Sequence, residues 1–256
     1  MALGHGADIT KDQLLLHLDA GNRKSYSGIG NNWINLTAGK VNSKIGTTTT
    51  YNSNGYFQLD ATTNSNIQVT DTLGYVDMYY VDNNYFEIDS NYPTSWDQPI
   101  SFEVFAYFDS DGTWHNGYNG ALIAKAKSTN NIGLIRTTTD NGIAMWLKDD
   151  TSSVTAATTI TARNEWNHIV GTWNGIDKIK IYVNGILKTT QVKVATGTIS
   201  YQNSEIYYIG GMGDTLIDAP GNSMKGRISN LKIYKKELTS SEVQKNFEAL
   251  RWRYGI

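Results

Sequence analysis

The segment Ser101-Phe-Glu-Val-Phe-Ala-Tyr-Phe108 constrains the fold more than any other. Phe102, Val104, Ala106 and Phe108 fall on one side of an extended chain, and Ser101, Glu103, Phe105 and Tyr107 on the other. A strand repeats its side-chain direction every two residues, so this is a strand with one face in a core and the opposite face partly covered. Similar runs occur at Ala121–Lys125, Ile132–Arg136, Gly142–Leu147, His168–Trp173, Ile179–Val183 and Glu205–Ile209, with Asn-Gly and Asp-Gly turn signals between them. Asn184-Gly185, between Ile179–Val183 and Ile186–Lys188, is the strongest hairpin signal, because both residues tolerate the positive φ that a tight turn requires. Many strands at short spacing without strand–helix alternation imply two packed antiparallel sheets.

Composition supports this. A hydrophobic content of 39% with 11% aromatics supplies a core for one large all-β domain of 256 residues, and 3 prolines interrupt the strands little. The formal net charge of -2 gives no electrostatic basis for binding nucleic acid or an anionic membrane surface. Lys178, Lys180, Lys225 and Lys232 are scattered among strand segments and read as a solvated face. With 0 cysteines there is neither a disulfide framework nor a thiolate metal site. The first residues lack a basic stretch followed by an apolar run, and no later segment is long and apolar enough to span a bilayer, so the expectation is a soluble chain made in the cytosol.

Residues 1–12 are polar and Gly-containing and read as an N-terminal arm; 13–256 shows no linker or repeat and reads as one domain. In Gly226-Arg-Ile-Ser-Asn-Leu-Lys-Ile-Tyr234 the alternation slips between Ile228 and Leu231, and one inserted residue, a β-bulge, repairs it. Beyond it, Thr239 and Glu242 have the spacing of a capping box, with Leu238 placed to staple against Val243. A short helix follows, with Val243, Phe247 and Leu250 as its apolar face. Trp166 and Trp173, flanking an alternating strand, read as core anchors between the sheets.

Several segments, taken in order, resemble the laminin-G-like, concanavalin A-like lectin jelly-roll family over about residues 13 to 250. Asn84–Ile88 followed by Ile100–Tyr107 resembles the family's paired strands, Trp166–Trp173 its strand opening on Trp, and Lys180-Ile-Tyr-Val-Asn-Gly-Ile186 its hairpin. Tyr208–Gly210, Lys225–Tyr234 and Leu238–Val243 resemble its closing strands and helix. The resemblance implies an all-β, two-sheet antiparallel jelly-roll sandwich with a short C-terminal helix. The opening Leu14–Asn22 and the ending Asn246–Ile256 further resemble versions of this fold in bacteriophage virion proteins.

Some relatives are glycoside hydrolases that set three carboxylates on alternate positions of one strand. Glu87-Ile-Asp89 imitates two of them, but Ser90, Asn91 and Tyr92 stand where the third belongs, so the pair reads as a strand and its turn. His5, His17, His115 and His168 show no metal-ligand spacing, and His17 and His168 read as partners within strands. No nucleophile elbow or phosphate loop is present, and the expectation is a protein that is not an enzyme. The loop Gly210–Asn222 resembles the calcium loop of pentraxin-type relatives through Asp214 and Asp218, a candidate metal site for calcium that competes with a reading as a solvated turn. Asp109-Ser-Asp-Gly112 resembles the start of a calcium-binding helix–loop–helix site, but Gly120 stands where a bidentate Glu belongs.

Trp114 with His115, Asn116 and Tyr118, and Tyr79 with Asp82, combine an aromatic face with polar partners in a form suited to a glycan or to a protein partner. The functional expectation is a non-enzymatic component of a phage particle, made in the host cytoplasm and displayed on the capsid or tail. Its partners would be other virion proteins and host-surface polysaccharide, with a homo-oligomer compatible. The alternative is a soluble or accessory carbohydrate-binding lectin module, and a degenerate glycanase comes third. In the particle reading, residues 1–12 form a docking arm through Leu3 and Ile9.

Overall fold

The computed structural model describes residues 8–37, 42–45, 49–60, 67–70, 98–109, 121–126, 131–136, 142–148, 153–159, 163–192, 207–210 and 224–256. Its strands, in chain order, are β1 (Leu14–Asp19), β2 (Asn32–Trp33), β3 (Asn42–Ile45), β4 (Thr50–Asn52), β5 (Tyr56–Asp60), β6 (Ile67–Thr70), β7 (Ile100–Phe108) and β8 (Ala121–Ala126). They continue with β9 (Asn131–Arg136), β10 (Gly142–Lys148), β11 (Ser153–Thr159), β12 (Trp166–Trp173), β13 (Lys178–Val183), β14 (Ile186–Val192), β15 (Tyr207–Ile209) and β16 (Lys225–Tyr234). The helix α1 (Ser240–Leu250) and a 3-10 turn at Arg251–Arg253 close the chain.

All the strand pairings are antiparallel. The first sheet runs β14-β13-β12-β7-β16-β5-β4, with β1 also on β16; the second runs β11-β10-β9-β8-β15-β6-β3-β2. This is the expected two-sheet sandwich. The strand Ser153–Thr159 escapes sequence reading because its Ser/Thr/Ala content carries no apolar alternation. Phe102, Val104, Ala106 and Phe108 point inward as their period requires, joined by Phe57, Ile169, Trp173, Ile228 and Leu231 from the same sheet. The second sheet supplies Trp33, Ile123, Leu134, Met145 and Ile209 to the same core.

The turn Asn184-Gly185 has φ of 51° and 79°, the two successive positive values of a tight hairpin. The bulge lies where the broken alternation places it. Ile228 pairs with Ala106 and Asn230 with Phe105, which leaves Ser229 as the extra residue. At the same point the far edge of β16 changes partner, from β5 over Lys225–Ile228 to β1 over Asn230–Tyr234. The freed Ser229 carbonyl accepts from the Ala20 amide at 2.8 Å.

The capping box forms as expected: Glu242 N donates to Thr239 Oγ1 at 3.3 Å, and Thr239 N to Glu242 Oε2 at 3.0 Å. Leu238 and Val243 are packed in one buried cluster with Val170, Tyr182 and Tyr234. The helix thereby lies against the outer face of the first sheet. Its buried residues are Val243, Asn246, Phe247 and Ala249, whereas Leu250 is half-buried. Asn246 replaces Leu250 in the expected apolar set because the helix covers charges as well as hydrocarbon.

Candidate functional site

On the outer face of the first sheet, the core positions Phe102, Val104, Ile169 and Ile228 put Glu103, Tyr107, Trp166, His168 and Arg227 outward by parity. Ser229 decides which face the rest of β16 presents. Arg227 and Lys232 are five residues apart and would point to opposite faces of an unbroken strand; the bulge brings both outward. The face so formed has two halves.

One half lies under α1. Glu103, His168, Asn230, Lys232 and Asn246 are all 0% exposed. Lys232 Nζ donates to Glu103 Oε1 and to Asn230 Oδ1, both at 2.7 Å. Asn246 Nδ2 reaches Glu103 Oε2 at 2.6 Å and the Tyr234 hydroxyl at 2.9 Å, while His168 Nε2 lies 3.2 Å from Glu103 Oε1. Burial pushes the Glu103 carboxyl up, but the Lys232 charge and hydrogen bonds from His168 and Lys232 outweigh it and hold Glu103 well below the usual carboxylate range. Burial lowers His168 below its ordinary value, Glu103 opposing. His17, whose Nε2 is 3.2 Å from Asn230 Nδ2, is lowered to about 4, chiefly by burial and then by the Lys232 charge. Lys232, read from sequence as solvated, is therefore sealed in an ion pair: the helix covers it, and Glu103 on the neighbouring strand balances it.

The C-terminal residues form the border of this half. Arg253 grips the buried Asp19 through two bonds of 2.7 and 2.9 Å. Burial tends to raise the Asp19 carboxyl, and the Arg253 guanidinium more than compensates, holding it below its ordinary value. Tyr254 stacks on Phe105 at 4.3 Å between ring centroids and donates to Ser229 Oγ at 3.0 Å.

Past Tyr254 the face opens. The registers Arg227↔Gln58, Arg227↔Tyr107 and Tyr107↔Trp166 align four outward side chains in one row across β5, β16, β7 and β12. Three strand spacings make that row about 14 Å long. Gly226 permits this register: its φ is +148°, and a Cβ there would collide with the Tyr107 carbonyl oxygen. Tyr56, Gln58, Tyr107, Trp166 and Arg227 are all half-buried. The Arg227 guanidinium sits 4.1 Å from the Tyr107 ring centroid and 5.2 Å from that of Tyr56. Trp166 meets Tyr107 at 5.8 Å, Tyr56 at 5.9 Å and Tyr254 at 5.0 Å. Arg227 Nε donates to Gln58 Oε1 at 3.1 Å, and Gln58 Nε2 in turn to Asp109 Oδ2 at 3.2 Å.

Trp166 therefore is not the core anchor that its aromatic size suggests. Trp173 is, at 2% exposure. The two are seven residues apart, an odd number that sends them to opposite faces of one strand. The same parity would have exposed Tyr107 and Trp166 as a cross-strand pair; nothing in the sequence announces Tyr56 and Arg227 as their neighbours. Chemically, the row offers aromatic faces for an apolar ligand surface and polar groups at their rims, the mixture of a small-ligand site. The sealed Glu103 cannot touch a ligand placed there.

Trp114, His115, Asn116 and Tyr118, Tyr79 with Asp82, the carboxylates Asp214 and Asp218, the pair Glu87 and Asp89, and Leu3 all lie outside the described residues. Among the described residues no group of three or more His, Asp or Glu is arranged to hold a metal ion. No described helix is long and apolar enough to cross a membrane. Ile9 is half-buried, and its neighbours bind the domain itself: Thr10 N donates to Asn246 Oδ1 at 2.7 Å, and Asp12 pairs with Lys236 at 2.9 Å.

No curated protein matches the sequence. Among solved structures, the binding domain of Paraclostridial Mosquitocidal Protein 1 is similar at 16% identity and a TM-score of 0.66, over 92% of this chain and 52% of that one. The ligand-binding domain of botulinum neurotoxin serotype D, solved in complex with N-acetylneuraminic acid, is similar at 16% identity and 0.63, over 93% and 51%. The serotype G binding domain gives 17% and 0.62, over 91% and 50%. This chain spans about half the length of these structures, and at such identities the likeness is one of fold. Residues 81–244, most of the chain, match the laminin-G type family described as the concanavalin A-like lectin/glucanases superfamily. With its two antiparallel sheets and closing helix, the chain belongs to the concanavalin A-like lectin/glucanases superfamily.

Proposed function

We propose that this chain is a carbohydrate-binding module without catalytic turnover, and that the open half of the outer face holds the sugar. The observation that carries the reading is the row Gln58–Arg227–Tyr107–Trp166, aligned by register and half-exposed beside a sealed half. The C–H face of a pyranose stacks on an indole or phenol ring, while its hydroxyls need donors and acceptors at the ring edges. Family membership supports a saccharide ligand, as does the sugar bound by the serotype D domain, although a domain about twice as long gives no position for it here. The segment 110–120 continues the chain directly from Asp109, which extends the proposal to Trp114, His115, Asn116 and Tyr118. A glycan array run with wild type, Trp166→Ala, Tyr107→Ala and Trp114→Ala tests it. Binding lost in the first two variants is the expected result; no binding by wild type, or binding indifferent to both, would refute it. Sustained product release from any bound polysaccharide would refute the absence of turnover.

A finer reading, a phage particle component displayed on the capsid or tail, rests on the opening and closing segments of the sequence, and absence of the protein from purified virions would refute it. Calcium at Asp214 and Asp218 is likewise a proposal; a melting temperature unmoved by chelator would remove it.

A further inference from the structure

Arg227 differs from the other guanidinium that the outer face holds in place. Arg253 is neutralised by Asp19 through two bonds, whereas Arg227 has no carboxylate partner among the described residues. Its hydrogen bonding goes through Nε to a neutral amide, and its Cζ lies over the rings of Tyr107 and Tyr56. Among the described residues, both terminal nitrogens have no hydrogen-bond partner, nor do the hydroxyls of Tyr56 and Tyr107 or the indole N–H of Trp166. An arginine held by rings and a single Nε bond is a pre-oriented fork, and the end-on pair of terminal nitrogens matches the two oxygens of a carboxylate or sulfate. One negative charge, Asp109, is held by Gln58 from the far side of the amide.

We infer that the open half of the face selects anionic saccharides, with Arg227 receiving their carboxylate or sulfate group while Trp166 and Tyr107 take the ring. This rests on the carbohydrate-binding reading above and names the substrate class of that site.

The test uses matched pairs that differ in charge: oligogalacturonate against its methyl ester, and dextran sulfate against dextran, titrated calorimetrically on the full chain. Wild type is expected to bind the charged member of at least one pair about tenfold or more tightly, and the pair that responds tells carboxylate from sulfate. Arg227→Gln should bring the charged-to-neutral ratio close to one. Arg227→Lys, which keeps the charge but loses the fork, should lower the ratio severalfold. Asp109→Asn should raise it, because it removes the negative charge that Gln58 links to Arg227. Should Arg227→Gln fail to fold, the Lys and Asn variants still move the ratio in opposite directions. Equal binding within both pairs, or a preference that survives these variants, overturns the inference and leaves the carbohydrate reading intact. If no glycan binds and Trp166→Ala changes nothing, both fall together.

Discussion

Arg227 and Lys232 stand on one strand, on one face of one sheet, yet they meet opposite environments. Lys232 is sealed under α1 and held by Glu103 and Asn230; Arg227 is half-buried between two tyrosine rings. The same contrast recurs on β12, where His168 is buried and Trp166, two residues away, is half-exposed. The strands are common to both halves, so the difference comes from the helix and the last residues of the chain. Under a roof, every charge must find a protein partner because water is excluded, as Lys232 finds Glu103 and Asn230. Past Tyr254, water or a ligand can serve instead, and a guanidinium can stand without a carboxylate. Substitutions should therefore cost stability in the covered half and binding in the open one.

The largest expected effect is in the covered half. Glu103→Ala strands the Lys232 ammonium in a dry site, and breaking a buried pair in this way costs about 3–5 kcal/mol. The double variant Glu103→Leu with Lys232→Met should be less destabilised than either single one, since an apolar pair needs no partner. Urea denaturation of the four proteins measures this; additive losses would show that the pair is not an energetic unit.

Next in size is the response to acid. The unfolded chain takes up a proton on His17 as pH falls below 6.5, while the folded chain resists until about 4. The folded state binds fewer protons in that window, so its stability is full above 6.5 and declines as pH falls toward 4, by about 3 kcal/mol from His17 alone. His168, shifted the same way, adds to the loss. Glu103, held below the carboxylate range, extends the loss to pH values below its ordinary value of 4.5. The melting temperature should therefore drop between pH 7 and 4, less steeply in His17→Asn. A flat profile would mean that these rings are not neutral in the fold.

A smaller loss is expected at the border between the halves. Arg253→Ala removes two charge-assisted bonds from Asp19 and should cost about 2 kcal/mol, discounted for an arginine that is partly exposed. Because Tyr254 follows directly and stacks on Phe105, the same change should loosen the wall beside Trp166. Hydrogen exchange at the amides of Arg251–Ile256 would register that loosening, and unaltered protection would confine Arg253 to its ion pair.

How far the sequence reaches also differs between the halves. The strands, the Ser229 bulge, the Asn184-Gly185 turn and the capping box each follow from a few consecutive residues, nine at most, and local sterics decide them. The covered network does not: Glu103, His168, Lys232 and Asn246 come from three strands and a helix, and only the register of β7 with β12 and β16 joins them. Lys232 is misread as solvated for the same reason, since its neighbours in sequence are ordinary strand residues and its cover arrives from Asn246, fourteen residues on. The open row is half legible. Parity puts Trp166 outward, but its meeting with Tyr56 depends on which strand β16 admits at its far edge.

The smallest stability effect should come from Trp166→Ala, and it separates the halves most sharply. The indole makes edge or tilted contacts with Tyr56, Tyr107 and Tyr254, none of them in the sandwich core, so its removal should cost about 1 kcal/mol, the scale of an aromatic pair outside a core. Trp173→Ala, on the same strand but facing inward, should cost about 3–5 kcal/mol through the cavity it leaves. Equal losses at the two sites would mean that Trp166 is structural after all. If the proposed function holds, the ranking reverses on a glycan array: Trp166→Ala abolishes binding in a protein that melts nearly as wild type does. Trp173→Ala should keep its ligand at temperatures where it remains folded. The two tryptophans share a strand and a residue type, and their odd separation of seven positions sends them to opposite faces, so the pair tests whether the face toward solvent, rather than aromatic content, makes the site.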